Sequence, residues 1–253
     1  MIKKRMRILL PMVTFGILFH VLPVFAGEKP ENTKENNWQT LFDGSSLDAW
    51  RGYCKDSVPQ KWVIEDGLLR FKDDGSRRMN DPKTGGDLIT KAQYENFEFE
   101  MEWRISKGGN SGILYLAREV CAGDGKIGQP IYMSAPEMQI LDNDTHEDAK
   151  KGKDGNRKAG SLYDLIPAAP QNANPAGEWN HVKIKINNGK VSHWMNGETV
   201  VEYELWSDDW IALNKGSKFE SWPNFINTAK KGYIGLQDHG DDIWFRNIRI
   251  REL

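Results

Sequence analysis

The chain has 253 residues, a formal charge of −2 and a mean hydropathy of −0.63, with 28% charged and 39% hydrophobic residues. That balance excludes a strongly basic nucleic-acid binder or a cationic binder of anionic membranes. Ten tryptophans and seven tyrosines are a large aromatic complement for this length, and two cysteines allow one bridge at most.

Lys3, Lys4, Arg5 and Arg7 precede an apolar stretch from Ile8 to Phe25, and Val24-Phe25-Ala26 sets small residues at the −3 and −1 positions of a cleavage site. This predicts a secretory signal peptide, residues 1–26, cut after Ala26, and a periplasmic or secreted mature protein. Pro11, His20 and Pro23 interrupt the stretch and argue against a retained anchor. Without the four leader cations, 30 basic residues face 36 acidic ones, a formal −6. Residues 27–37 are polar and read as a flexible lead-in. No Pro/Ser/Gly linker divides residues 38–253, so a single large all-β domain is expected. Export would carry Cys54 and Cys121 into an oxidising compartment, although spacing alone leaves their pairing open.

Along that domain, Lys61 to Phe71 reads as a hairpin turning at Asp66-Gly67. From Phe97 to Ser106, Phe97, Phe99, Met101, Trp103 and Ile105 alternate with Glu98, Glu100, Glu102 and Arg104, which is a strand with one core face. Ile113 to Ala117 is apolar on both faces and predicts a strand covered on each side, hence two stacked layers. Asp144 to Lys158 is a long charged surface loop. Val182, Ile184 and Ile186 open a three-stranded meander with turns at Asn188-Gly189 and Asn196-Gly197. A short helix is expected around Asp208 to Leu213, and two strands at Tyr233 to Gln237 and Ile243 to Ile250. The fold class is therefore all-β, a two-sheet antiparallel sandwich.

Three stretches carry candidate chemistry. In Pro136 to Asp142, strand alternation sends Glu137 and Gln139 to one face and Met138 and Ile140 to the other, so two polar groups adjoin within an apolar run and need partners or a ligand. Gly108-Gly109-Asn110-Ser111-Gly112 permits close backbone approach and offers amide and hydroxyl groups suited to sugar hydroxyls. Gly235 to Gly240 ends a strand in a polar cluster that holds His239, one of five histidines.

Trp38-Gln39-Thr40-Leu41-Phe42-Asp43-Gly44, Gly86-Asp87-Leu88-Ile89-Thr90, Glu102-Trp103-Arg104-Ile105, Gly109 to Ile113, Glu137 to Asp142, Gly177-Glu178-Trp179-Asn180, Trp194-Met195-Asn196-Gly197, Ser217-Lys218-Phe219 and Leu236 to Gly240, in this order, resemble the 3-keto-disaccharide hydrolase family over nearly all of residues 38–253. The resemblance implies a concanavalin A-like jelly roll of the lectin/glucanase type and cleavage, by hydrolysis or elimination, of glycosides oxidised at C3. A 3-keto group acidifies the C2 hydrogen, so such a site needs a base, an acid for the leaving oxygen and a holder for enolate charge. Glu137 and His239 are the candidate acid/base pair. Arg104, Asn110, Ser111, Gln139, Tyr163, Trp194 and Gln237 are the candidate substrate contacts, with Tyr163 a hydroxyl donor from the rim. No spacing requires a cofactor, but a divalent cation such as calcium or manganese would find ligand types in Glu137, Asp142 and His239. Two other readings predict different constellations. A retaining glucanase would pair Glu137 with a second carboxyl on the same strand, with Asp142 in place of the usual Glu. A lectin-like module would show aromatic platforms without a convergent Glu/His pair.

Overall fold

A computed structural model describes residues 37–253 except 74, 76–83 and 124. The expected signal peptide and the lead-in up to Asn36 lie outside the described residues. Two antiparallel sheets face each other. The larger takes the order β11-β10-β9-β6-β13-β4-β3, with β1 added along β13. Its strands are β1 (Gln39–Phe42), β3 (Trp62–Glu65), β4 (Leu68–Phe71), β6 (Phe97–Ile105), β9 (Asn180–Asn187), β10 (Lys190–Met195), β11 (Glu198–Glu204) and β13 (Ile243–Glu252). The smaller sheet runs β2-β5-β12-β7-β8, from β2 (Trp50–Gly52), β5 (Leu88–Thr90), β12 (Tyr233–Leu236), β7 (Asn110–Ala117) and β8 (Glu137–Leu141). The expected sandwich, hairpin and meander are all present.

Alternation explains the core. Phe97, Phe99, Met101, Trp103 and Ile105 of β6 are at most 1% exposed. They meet Ile113, Tyr115, Met138, Ile140, Ile234 and Leu236 from the smaller sheet within one apolar cluster. The polar face of β6 pairs across the sheet: Glu102 with Arg246, Glu100 with Arg249 and Glu98 with Arg251, each on the register partner of its neighbour in β13. Arg246 and Arg104 also lie over the Trp179 ring, at 4.1 and 5.0 Å. Arg104 and Trp194 belong to this outward face of the larger sheet, where Trp194 carries Lys183 at 4.3 Å from its ring.

The smaller sheet is buried on both faces, as Ile113 to Ala117 predicted. Its outer face is covered by a second apolar cluster that includes Tyr53, Ile89, Leu114, Ile131 and Ala135. Cys54 and Cys121 are joined in a disulfide, which settles the pairing that spacing left open and ties the loop after β7 to the end of β2. Between β11 and β12 the chain passes from one sheet to the other through α1 (Asp208–Asn214), a 3-10 turn at Lys218–Ser221 and α2 (Pro223–Ile226). Ser207 caps α1 by accepting from the Trp210 N–H at 3.1 Å. Tyr203, Trp210, Phe225 and Phe219 then stack in sequence, with ring centroids 5.6, 5.6 and 4.2 Å apart. Among the described residues no helix is long and apolar enough to cross a membrane.

Candidate active site

The outer face of the smaller sheet opens into a pocket of about 210 Å³. Its buried floor comes from Asp87, at the start of β5, Asn110 of β7, Glu137 and Gln139 of β8, and Asp238 just beyond β12. Gln237 and His239 follow on the same side, and the crossover segment supplies Lys218, Phe219, Trp222 and Phe225.

Glu137 is 7% exposed and lies directly over β7. A Cβ built on Gly112 would sit 1.9 Å from Glu137 Oε1 and 2.6 Å from its Cδ, so only glycine at 112 leaves room for this carboxyl. Glu137 pairs with Leu114, and its side chain reaches diagonally to the next position on the same face of β7, which Gly112 leaves empty. Burial is the main force on its protonation and pushes its pKa up to about 8. Lys218 counteracts that push, while Asp87 and Asp148 reinforce it. At neutral pH Glu137 is thus mainly a neutral acid.

His239 behaves in the opposite sense, because burial and the neighbouring His146 lower its pKa and keep the imidazole neutral. Its Nε2 lies 3.3 Å from Asn110 Nδ2 and its Nδ1 3.9 Å from Asp241 Oδ2. Asp241 is itself fixed by accepting the Asn110 backbone N–H at 3.1 Å. Asp238 holds the turn beneath His239, accepting from Gly240 N at 3.0 Å and Gly86 N at 2.7 Å.

Two amides link the acid to the imidazole. In one orientation Gln139 Nε2 donates to Asn110 Oδ1 at 3.2 Å and turns its carbonyl toward Glu137. In the other its nitrogen donates to Glu137 Oε1 at 3.1 Å and to the Ser111 carbonyl at 3.2 Å. The first suits a protonated Glu137, which can donate to that carbonyl, and the second an ionised one.

Of the predicted residues, Glu137, His239, Asn110, Gln139, Tyr163 and Gln237 line this single pocket. The others are placed elsewhere. Arg104 and Trp194 stand on the far sheet's outer face, because Arg104 alternates with the core residues Trp103 and Ile105 and so points away from the sandwich interior. Ser111 is fully buried on the inner side of β7, with its hydroxyl donating to the Gln237 carbonyl at 2.9 Å. Tyr163 reaches the rim with its ring, but its hydroxyl is spent on Asp148 Oδ2 at 2.7 Å, which corrects its role as a donor to substrate.

Asp142 is also outside the pocket. One oxygen accepts from Gly108 N at 2.7 Å and from the Thr145 hydroxyl, and the other from Asp144 N at 3.1 Å, so it pins the β6–β7 turn. It has the opposite strand parity to Glu137, and the carboxyl pair a retaining glucanase would need on this strand does not form. Glu137, Asp142 and His239 likewise do not converge as a cation site. Among the described residues the grouping of three potential ligand atoms is Cys54, Glu119 and Cys121, whose sulfurs are already joined.

Asp87 and the crossover residues were not singled out from the sequence. Asp87 is 2% exposed, accepts the Asp238 N–H at 2.9 Å, and burial pushes its pKa up to about 7. Asp87, within Gly86 to Thr90, and the Ser217-Lys218-Phe219 run both stood within the stretches that carry the family resemblance, but neither was given a site role. No local pattern marked Asp87 or Lys218 as pocket groups.

Residues 37–251 match the family described as the 3-keto-alpha-glucoside-1,2-lyase-like domain. The chain belongs to that family. A curated relative named 3-keto-disaccharide hydrolase, from Bacteroides thetaiotaomicron, is 53% identical over 226 residues, which is 85% of this chain and 78% of the relative. A crystal structure named as a candidate glycosyl hydrolase from Parabacteroides distasonis superposes with a TM-score of 0.73 at 28% identity, covering 87% of this chain and 95% of the other. A second candidate glycosyl hydrolase from that organism gives 0.62 at 30% identity, covering 86% of this chain and all of the other. The family member described here is accordingly a glycoside-cleaving enzyme with a carbohydrate substrate, built on a two-sheet antiparallel β-sandwich.

Proposed function

We propose that the chain cleaves glycosides already oxidised at C3, releasing the C1 substituent by elimination, with His239 as base and Glu137 as acid. One observation carries this reading: a buried carboxyl that holds its proton at neutral pH shares a pocket, through two amides, with an imidazole that does not. His239 Nε2 takes the C2 proton, the electron pair passes toward the C3 carbonyl as an enolate, and the C1–O bond breaks as Glu137 gives its proton to the departing oxygen. Lys218, Gln237 and Asn110 offer donors for the charge on O3.

The Asn110–Gln139 pair fits both ends of that step. In the free enzyme Glu137 donates to Gln139, Gln139 to Asn110, and Asn110 to the Nε2 lone pair of His239, a contact that opens when the C2 hydrogen is presented to that nitrogen. After it, protonated His239 donates to Asn110, and the chain of hydrogen bonds runs back to an ionised Glu137. If water then enters, Glu137 takes its proton, hydroxide adds to C1 and His239 returns a proton to C2, which completes hydrolysis. If the unsaturated sugar departs first, the same residues act as a lyase.

The test is incubation of residues 27–253, lacking the expected signal peptide, with a 3-keto-glucoside, its parent glucoside and a β-glucan, with and without chelator. Release from the keto sugar alone, slowed by deuterium at C2, is expected. Glu137→Gln and His239→Ala should each lower kcat while Tm stays nearly constant. Equal cleavage of the parent glucoside, or no isotope effect on any step including single-turnover release, would overturn the mechanism. Loss of turnover with chelator, restored by calcium or manganese, would mean that the protein groups alone are insufficient.

A further inference from the structure

Six carboxyl groups are buried among the described residues: Asp87, Glu98, Glu137, Asp142, Asp148 and Asp238. A buried carboxyl oxygen needs a partner, because it has given up its hydration. Four of the six have both oxygens engaged. Glu98 is held by Lys185 and Arg251, Asp142 by the turn it pins, Asp148 by Arg157 and Tyr163, and Asp238 by the Gly240 and Gly86 N–H groups. Glu137 is the proposed acid. Asp87 remains: its Oδ1 accepts the Asp238 N–H at 2.9 Å, while Oδ2 has no hydrogen-bond partner among the described residues, and the side chain lines the pocket at 2% exposure.

Register places this carboxyl relative to Glu137. β12 sets Leu236 against Leu88 of β5 and against Ile113 of β7, and Gly112 of β7 pairs with Gln139. The Gln237 N–H continues the ladder by donating to Gly112 O at 3.0 Å. Leu88, Leu236, Ile113 and Met138 all belong to the core between the sheets, so their neighbours Asp87, Gln237, Gly112 and Gln139 form one row on the outer face, each on the next strand. Glu137 fills the gap above Gly112, two strands from Asp87 and therefore roughly 10 Å away. A hydrogen bond of about 2.8 Å at each end leaves the length of one six-membered ring between the two carboxyls.

We propose that Asp87 is a substrate-binding residue whose Oδ2 accepts the C4 hydroxyl of the reacting ring. The inference rests on the elimination reading, which puts the C1 oxygen at Glu137. C4 is the ring carbon opposite C1, and Gln237, between the two carboxyls in the row, then lies on the C3 side. A hydroxyl suits Asp87 in both its protonation states. Ionised, Oδ2 accepts from it. Neutral, the proton sits on Oδ2, since Oδ1 takes the Asp238 N–H, and a hydroxyl can receive as well as give. An equatorial C4 hydroxyl continues the line from C1 to C4 toward Asp87, whereas an axial one leaves that line.

The experiment measures kcat/KM for a methyl 3-keto-glucoside, its 4-deoxy and 6-deoxy analogues and its C4 epimer, in wild type, Asp87→Ala and Asp87→Asn. Wild type should favour the parent over the 4-deoxy and epimeric substrates by about 10- to 100-fold, the usual worth of a hydrogen bond to a charged group, with the 6-deoxy substrate close to the parent. Asp87→Ala should erase that preference. Asp87→Asn keeps an oxygen for the Asp238 N–H and turns its amide nitrogen to the pocket, so it should stay folded and show a preference in between. Wild type indifferent to the 4-deoxy change, either variant with the wild-type preference, or discrimination lost at C6 instead of C4 overturns the assignment. If Asp87→Ala does not fold, Asp87→Asn decides alone. The two proposals fail separately. If no 3-keto-glycoside is cleaved, the elimination reading has failed, and calorimetric binding of methyl glucoside against its 4-deoxy analogue, in wild type and Asp87→Asn, still decides the role of Asp87. No binding preference, or one that the substitution leaves intact, sinks it.

Discussion

Replacing Gly112 with alanine adds one methyl group, and the structure says where that group must go. Its carbon would lie 1.9 Å from Glu137 Oε1, 2.6 Å from Cδ and 2.8 Å from Cγ. These are three atoms of one side chain, so the whole Glu137 carboxyl has to leave its seat. A positioned general acid contributes about 10²- to 10⁴-fold, equivalent to about 3–5 kcal/mol of barrier. Gly112→Ala should therefore cost nearly as much kcat as Glu137→Gln. The overpacking itself should cost about 1–3 kcal/mol of stability, or very roughly 2–12 °C in Tm for a domain of this size. Two measurements decide it: kcat on a 3-keto-glucoside, and thermal unfolding of Gly112→Ala, Glu137→Ala and the double variant. The double variant should recover part of the stability lost in Gly112→Ala, since the clash has been removed, but none of the activity. Wild-type turnover in Gly112→Ala, or strictly additive stability losses, would show that Glu137 acts from some other position.

The charges around Glu137 make a paired prediction for pH dependence. kcat/KM should rise through the lowered pKa of His239, below its ordinary value, as the imidazole loses its proton, and fall on the alkaline side as Glu137 ionises near 8. Asp87→Asn removes a negative neighbour that raises the Glu137 pKa, so the alkaline limb should move to lower pH. Lys218→Met removes the positive one that lowers it, so the limb should move to higher pH. Steady-state pH profiles check both directions, and shifts of the same sign in both variants would contradict the assignment. Separately, Cys54→Ser/Cys121→Ser opens a loop of 67 residues' separation. It should lower the unfolding free energy by up to about 4 kcal/mol in denaturant titrations.

Strand alternation made much of this molecule legible. The β6 run showed which residues face the core before any partner strand was known, and the Asp66-Gly67, Asn188-Gly189 and Asn196-Gly197 turns fixed the hairpins. The same rule correctly put Glu137 and Gln139 on one face. It could not say which of two outward faces holds the pocket. Both sheets present polar residues outward, and Arg104 with Trp194 looked as suitable for a sugar as Asn110. On the larger sheet those polar residues satisfy one another, as the Glu98, Glu100 and Glu102 pairings show, whereas on the smaller sheet they are left facing a cavity. That distinction depends on cross-strand register and on what covers each face, which no local pattern encodes. Asp87 stood in a stretch that carries the family resemblance, but its side chain's placement was not legible for a related reason: it lies just ahead of a three-residue strand, too short to display a period. Lys218 and Trp222 belong to a segment whose course is set by stacking on Tyr203 and Phe225, far away in sequence or in a different element.

The division between floor and wall has an evolutionary consequence. Glu137, Gln139 and Asn110 sit on paired strands, whose positions are locked by register, while Lys218, Phe219, Trp222 and Phe225 of the pocket wall sit on a single excursion of the chain from one sheet to the other. Insertions or deletions within residues 205–228 that spare Lys218 can therefore remodel that wall while leaving the strand-borne Glu137 and its amide partners in place. Relatives that share the strands but differ in that excursion should differ in diet before they differ in reaction.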